Sequence, residues 1–251
     1  MKKAFLVFLA LIMIGSAAVA EESEAYINIG DYGPEVVALH QKLANLGYFS
    51  LRPESPWSSK SADGLKAVRY VLGLDETGIV AGRTQYEAIM ALDENLPQFA
   101  IKRIETIDEY LDYIREQKLT VFISAQDEAS NKLQPSTQEK LEKLGLTTDW
   151  ENMVRKAYIA IVKANTVVEE LAATETTGAP LKIEGKLETI QYNVLSAGYE
   201  NDGGRNSSII LNGYEYSKNR RGLNMVTMLN ERIIDSVSFD TYGEEHATAK
   251  R

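Results

Sequence analysis

Between Pro34 and Leu46 the apolar residues fall at Val36, Leu39, Leu43 and Leu46, in steps of three and four that place them on one face of a helix. Pro34 suits a first turn, where its missing N–H is no loss, and Gly47 suits the left-handed stop after the last periodic residue. The same spacing recurs in Leu65, Val68 and Leu72, ended by Gly73, and in Tyr86, Ile89 and Met90. The pattern therefore predicts helices near 34–46, 61–72 and 83–92, enough for a small three-helix bundle. After Pro97 the texture changes. Thr106-Ile107-Asp108-Glu109 has the form of a capping box, and Ile107, Tyr110, Leu111 and Ile114 trace the face of the helix it would start. LTVFISA (119–125) reads as a buried strand, Ser136-Thr137-Gln138-Glu139 as a second capping box opening a helix that stops at Gly145, and KAYIAIVKA (156–164) as another strand. Residues 172–185, rich in Thr, Gly and Ala, read as a connector. Beyond them come LETIQYNVLSAG, SSIIL, YEYS, LNMVTML and IIDSVSF, all strand-like, with Asn212-Gly213 as a tight-turn signal between the second and third. The fold class expected is α+β: a small three-helix bundle followed by a mixed α/β, sandwich-like domain with a β-rich C-terminal half.

Composition narrows the functions open to such a chain. The first twenty residues join Lys2 and Lys3 to an apolar run too short to span a membrane comfortably, and end in Ala18-Val19-Ala20, the form of a secretory signal peptide. Cleavage after Ala20 removes both lysines and shifts the formal net charge from −9 to −11, the 36 acidic residues being untouched. An acidic chain without basic runs repels phosphate backbones and anionic headgroups, so the expectation is a secreted or extracytoplasmic protein, with no nucleic-acid partner and no membrane insertion after signal cleavage. The absence of cysteine excludes disulfides, thiolate metal sites and a cysteine nucleophile.

Two resemblances follow from particular residues. IGDYGPEVVALHQKLANLGYFS and GLDETGIVAGRTQYEAIMAL resemble the three-helix peptidoglycan-binding domain of exported bacterial proteins, in a frame set by Gly30, Gly33, Val36, Leu39, Leu43, Leu46-Gly47-Tyr48, Gly73-Leu74 and Thr77-Gly78. The middle departs from that pattern. PESPWSS replaces the usual Asp-Gly and aromatic-Gly turn, His40 stands for glutamine, and Val68-Arg69 stands for Phe-Gln. The resemblance implies peptidoglycan as a partner of residues 26–96, with Trp57 the candidate for wall contact.

SAGYE, the strand ending in Asn212-Gly213, RGLN before an apolar strand, and VSFDTY are similar to the first half of the interleukin-like EMT inducer (GG) domain. That domain occurs in cytokine-like secreted proteins, in the stem of protein O-mannose N-acetylglucosaminyltransferase and in bacterial proteins. Residues 106–171 resemble its second half, in reversed order. Residues 101–246 are therefore expected to form a permuted copy whose old ends meet through 172–185, the alternative being halves exchanged between two chains. By this resemblance a glycan site would fall on Asp127, Arg155 and Arg221, with Tyr158 supplying a ring. A carboxylate accepting from sugar hydroxyls, guanidinium forks donating and a ring on an apolar sugar face suit such a ligand. The competing reading makes Asp127 the structural ion-pair partner of Arg221 or Arg155, with Arg220 facing solvent.

Other chemistry is thinly represented. Asp108-Glu109, Asp127-Glu128, Glu169-Glu170 and Glu244-Glu245 are adjacent carboxylates, and neighbours on a strand face opposite ways, so none is a ready acid/base dyad. His40 reads as a helix-surface histidine without a second metal ligand, and His246 lies in a polar stretch. GGRNSS (203–208) precedes a strand, the wrong context for phosphate. Asn201, Asp202 and Asp240 match no calcium-loop spacing. Trp57 and Trp150 read first as packing residues. The expectation is a non-catalytic protein without metal or cofactor, recognising glycan or peptidoglycan. The alternatives are an extracellular protein-interaction module and a polysaccharide-acting enzyme.

Overall fold

The computed structural model describes residues 26–251 apart from 81 and 245, so the expected signal peptide lies outside the described residues. The chain divides into two compact units, one running to Arg103 and the other from Ile104 to Arg251. Together they make an α+β protein.

In the first unit, α1 spans Pro34–Asn45, α2 Ser59–Val71 and α3 Arg83–Met90. A short α4 (Pro97–Ala100) runs into a 3-10 turn. Leu39, Leu43, Leu46, Leu65, Val68 and Ile89 are all buried, as the spacing of three and four requires. The helix α2 starts two residues earlier than the apolar pattern alone predicts, because Ser58 and Ser61 form a capping box. Gly47 and Gly73 (φ +84° and +79°) close α1 and α2 in the same way, with the next residue's N–H reaching back to Leu43 and Arg69 carbonyls. Arg69 is wholly buried, its guanidinium donating to the Asp75 and Ile79 carbonyls at 3.1 and 3.2 Å and fixing the loop to α3.

His40, expected on the helix surface, is instead fully buried. Its ring stacks between Phe49 (4.1 Å) and Trp57 (5.3 Å), while its nitrogens meet the Pro53 carbonyl at 2.9 Å and the Ser61 hydroxyl at 2.8 Å. The reason lies in the helical period: position 40 is four residues from Val36 and falls within the apolar stripe. Trp57 is buried beside it.

The second unit opens with α5 (Ile107–Gln117), capped by the Thr106 hydroxyl, then β1 (Thr120–Asp127) and α6 (Pro135–Lys143). Ser136 is not the cap of α6. Pro135 takes the first turn and Gln134 the cap position, without a side-chain bond. The strand β2 (Tyr158–Lys163) pairs with an unforeseen β3 (Thr166–Ala172) through a turn at Ala164-Asn165, both at positive φ. Residues 172–185, read as a connector, carry β4 (Thr177–Gly178) and the start of β5 (Leu181–Leu187). What reads as one long strand from Leu187 is broken by a turn at Glu188-Thr189 into β5 and β6 (Ile190–Gly198).

The remaining strands are β7 (Glu200–Asn201), β8 (Asn206–Leu211), β9 (Tyr214–Glu215), β10 (Gly222–Leu229), β11 (Arg232–Phe239) and β12 (Ala249–Lys250). Asn212-Gly213 makes the β8–β9 turn as expected, with φ of +49° and +86°. The strand β9 is short because the Glu215 carboxylate accepts the backbone N–H groups of Ile209 and Ser217 at 2.9 and 2.7 Å, curling the chain back.

Among the described residues ten strands hydrogen-bond into one mixed sheet that forks at β1. On one side β1 pairs antiparallel with β10 along its length. On the other it pairs with β2 up to Ser124, then parallel with β6 at Gln126 and Asp127. The fork is closed by hydroxyls. Ser196 donates to the Ala125 carbonyl (2.6 Å) and accepts from the Tyr158 N–H (2.9 Å), and Ser124 donates to the Leu195 carbonyl (2.6 Å). One apolar cluster fills the space between the arms, with Phe122, Ile159, Ile161, Val226 and Met228 from β1, β2 and β10 meeting Tyr192, Val194, Ile209 and Leu211 from β6 and β8. Against α5, Tyr110 packs edge-on to Phe239 at 5.4 Å and hydrogen-bonds to Thr227 and Asp235.

Candidate functional site

Where β1 ends, two partner strands end with it: Gln126 stands opposite Gly222 of β10 and Ala197 of β6. An open cavity of about 490 Å³ occupies this end of the sheet, lined by the polar or charged residues Gln126 and Asp127, Arg205, Arg220 and Arg221, and Ser238, Asp240 and Lys250. Side chains far apart in sequence meet there because β1, β8, β10, β11 and β12 all start or finish at this rim.

Asp127 adopts a left-handed conformation (φ +67°) and is nearly buried, its carboxylate accepting from the Arg205 guanidinium at 3.3 Å. Its neighbour Glu128 turns the other way, into the protein, and accepts the N–H groups of Ser130 (2.8 Å), Asn131 (3.0 Å) and Arg155 (2.9 Å). The adjacent carboxylates thus divide their work: Asp127 faces the cavity and Glu128 organises the loop behind it.

Arg221 is held by Asp240 through two parallel bonds, Nε to Oδ1 at 3.1 Å and Nη2 to Oδ2 at 2.7 Å, and its guanidinium lies 4.6 Å from the Tyr242 ring centroid. Partial burial works against the Asp240 charge. The Arg221 fork and the N–H groups of Gly243 and Tyr242 outweigh it and hold the carboxyl below its usual range. Asp240 therefore stays ionised and is not a proton donor at neutral pH. The ion pair the sequence suggested between Asp127 and Arg221 or Arg155 is absent from the described contacts; Asp127 takes Arg205 and Arg221 takes Asp240.

The other residues singled out from sequence lie elsewhere. The Arg155 guanidinium sits 4.4 Å from the Tyr199 ring centroid, outside the cavity lining, while Arg205 approaches the same ring at 4.2 Å. Tyr199 therefore links Arg155 to the cavity through Arg205. Tyr158 is in the core, its ring edge-on to Trp150 at 4.7 Å and its hydroxyl donating to Glu170 at 3.0 Å, so the exposed rings near the site are those of Tyr199 and Tyr242. Trp57 belongs to the first unit and is buried there. Asn201 spends its side chain on Gly198 and Gly178. Among the described residues no three His, Cys, Asp or Glu side chains gather as a metal site would need.

Sequence reasoning had no way to single out Arg205, Asp240 as an ion-pair partner, or Lys250. Arg205 sits in a glycine-rich loop, and Asp240 reaches Arg221 only because β10 and β11 pair Leu223 with Phe239. Compared with family models, with curated proteins and with solved structures, the chain matches none.

Proposed function

We propose that this is an exported, non-catalytic binding protein of the cell envelope whose C-terminal unit recognises a glycan at the end of β1. The observation that carries this reading is the cavity itself: donors and acceptors from five separate segments converge on one open space beside Asp127 and Arg221. Carboxylates that accept and guanidiniums that donate match the alternating hydroxyls of a sugar, and Tyr242 and Tyr199 supply rings at the margin. In this reading the first unit is a three-helix, peptidoglycan-binding-like bundle and the second a sandwich-like, permuted interleukin-like EMT inducer domain. Wall contact by the first unit would have to use surface other than the buried face of Trp57.

The test is a glycan array and a peptidoglycan pull-down with the exported protein, its Asp127→Ala and Arg221→Ala variants, and light scattering for mass. Binding to a defined sugar that both variants lose supports the reading. Failure of well-folded protein to bind any saccharide removes it. A dimeric mass would point to halves exchanged between chains rather than permutation within one. Protein recognition is favoured by one separate feature: among the described residues β3 pairs only with β2, and it exposes Val168 and Leu171 along its strand.

A further inference from the structure

The cavity is lined by four cations, Arg205, Arg220, Arg221 and Lys250, against two carboxylates, Asp127 and Asp240. Three of the four cations are engaged. Arg205 pairs with Asp127, Arg221 with Asp240, and Lys250 donates to the Thr248 hydroxyl at 2.8 Å with Glu244 at 3.4 Å. Among the described residues, the Arg220 guanidinium has no hydrogen bond or ion pair, although its backbone is fixed on both sides by Asn224. The Asn224 side chain accepts from the Arg220 N–H at 3.1 Å and donates to its carbonyl at 2.7 Å. The two adjacent arginines are thus complementary: Arg221 is fastened by its side chain, Arg220 by its main chain alone.

We infer that Arg220 receives the anionic group of the ligand, and that the glycan class this cavity takes is an acidic saccharide, one with an isolated carboxylate on a largely neutral body. The inference rests on the glycan reading above and narrows it. A guanidinium on an anchored backbone presents a planar fork that matches two carboxylate oxygens, and among the described residues lining the cavity Arg205, Arg221 and Lys250 each lie beside a carboxylate while Arg220 does not. The chain as a whole carries a net charge of −9. Its long-range field therefore repels polyanions, which leaves a single acidic group as the occupant that local attraction can hold. Sugar hydroxyls would then meet Asp127 and the Gln126 and Ser238 side chains on the same wall.

The experiment is calorimetric titration of the full exported protein with disaccharides in matched pairs, each uronic acid beside its neutral parent, and a third set carrying a phosphate ester in place of the carboxylate. Arg220→Gln and Arg220→Lys are run alongside; the side chain is exposed, so neither change disturbs the core. The Arg220 Nε–Hε resonance is followed in parallel on adding acetate. The expected result is that the acids bind about tenfold tighter than their parents, an advantage lost in Arg220→Gln, only partly kept in Arg220→Lys, and reduced by added salt. Phosphate esters binding more tightly than uronic acids would overturn the carboxylate assignment. Equal binding of acid and parent would overturn the role of Arg220 and leave glycan recognition standing. A resonance that moves with acetate while no saccharide binds would instead overturn the glycan reading, and silence in every arm would overturn both.

Discussion

Glu170 on β3 offers the sharpest test of how the second unit is held together. Its Oε2 accepts the Thr147 N–H and hydroxyl, both at 2.9 Å. Its Oε1 accepts the Thr148 N–H (3.1 Å), the Thr148 hydroxyl (2.7 Å) and the buried Tyr158 hydroxyl (3.0 Å). One carboxylate therefore ties the loop after α6 to β3 and to the core. Partial burial opposes its charge, but the Thr147 N–H and the three hydroxyls prevail and keep its pKa below the ordinary glutamate range. Glu170→Gln places an amide NH₂ where Oε2 stood and faces it with two donors. Losing charge-assisted bonds of this kind costs ~1.5–3 kcal/mol each when fully buried, and since Glu170 is half-buried about 2 kcal/mol in all is expected, a drop of ~5 °C in Tm. Glu170→Ala should cost more, because the Tyr158 hydroxyl then has no acceptor in the core. The sign of the pH dependence follows from the lowered pKa. The stabilisation is fully present above the unfolded glutamate value of ~4.3 and is lost as pH falls through the folded value. Thermal unfolding followed by circular dichroism should show the full gap between wild type and Glu170→Gln at pH 6 to 8 and its closure towards pH 3. An unchanged midpoint at pH 7, or a gap of constant size down to pH 3, would defeat this account.

Two further outcomes are expected. His40→Phe keeps the stack with Phe49 and Trp57 but leaves the Pro53 carbonyl and the Ser61 hydroxyl without their ring partner, and should lower stability by ~1–3 kcal/mol in urea titration; a neutral result would mean that the ring alone matters. Gly222 has φ +97°, and a Cβ there would press into the Phe239 carbonyl while lying 2.8 Å from the Thr241 N–H, so Gly222→Ala should part the start of β10 from β11. The expected readout is loss of amide protection at Leu223 and Phe239, and full protection would count against it.

Much of the helical unit was legible because its information is local. Stripes of Val and Leu and glycines at the stops need no distant partner to take effect. Asn212-Gly213 was legible for the same reason. The Ala164-Asn165 and Glu188-Thr189 turns were not: Asn165 tolerates positive φ but has no glycine beside it, Ala164 and Glu188 do not favour the positive φ they adopt, and the strands these turns join were merged or missed. His40 is polar, which suggests the surface, yet its place in the helical stripe buries it beside partners for both ring nitrogens. The site was half legible. Asp127 and Arg221 do share a cavity, yet their partners Arg205 and Asp240 are fixed by strand register, which a single sequence does not display.

The fork at β1 has a consequence for how this sheet exchanges with solvent. Most amides in a sheet are guarded by carbonyls of the neighbouring strand, so their hydrogens exchange only when the ladder opens. The Tyr158 amide is guarded by the Ser196 hydroxyl instead, a group that can rotate away while both arms of the sheet remain intact. A deuterium label entering at that one amide, ahead of its flanking strand neighbours, would time the release of the Ser196 hydroxyl separately from opening of the strand ladder.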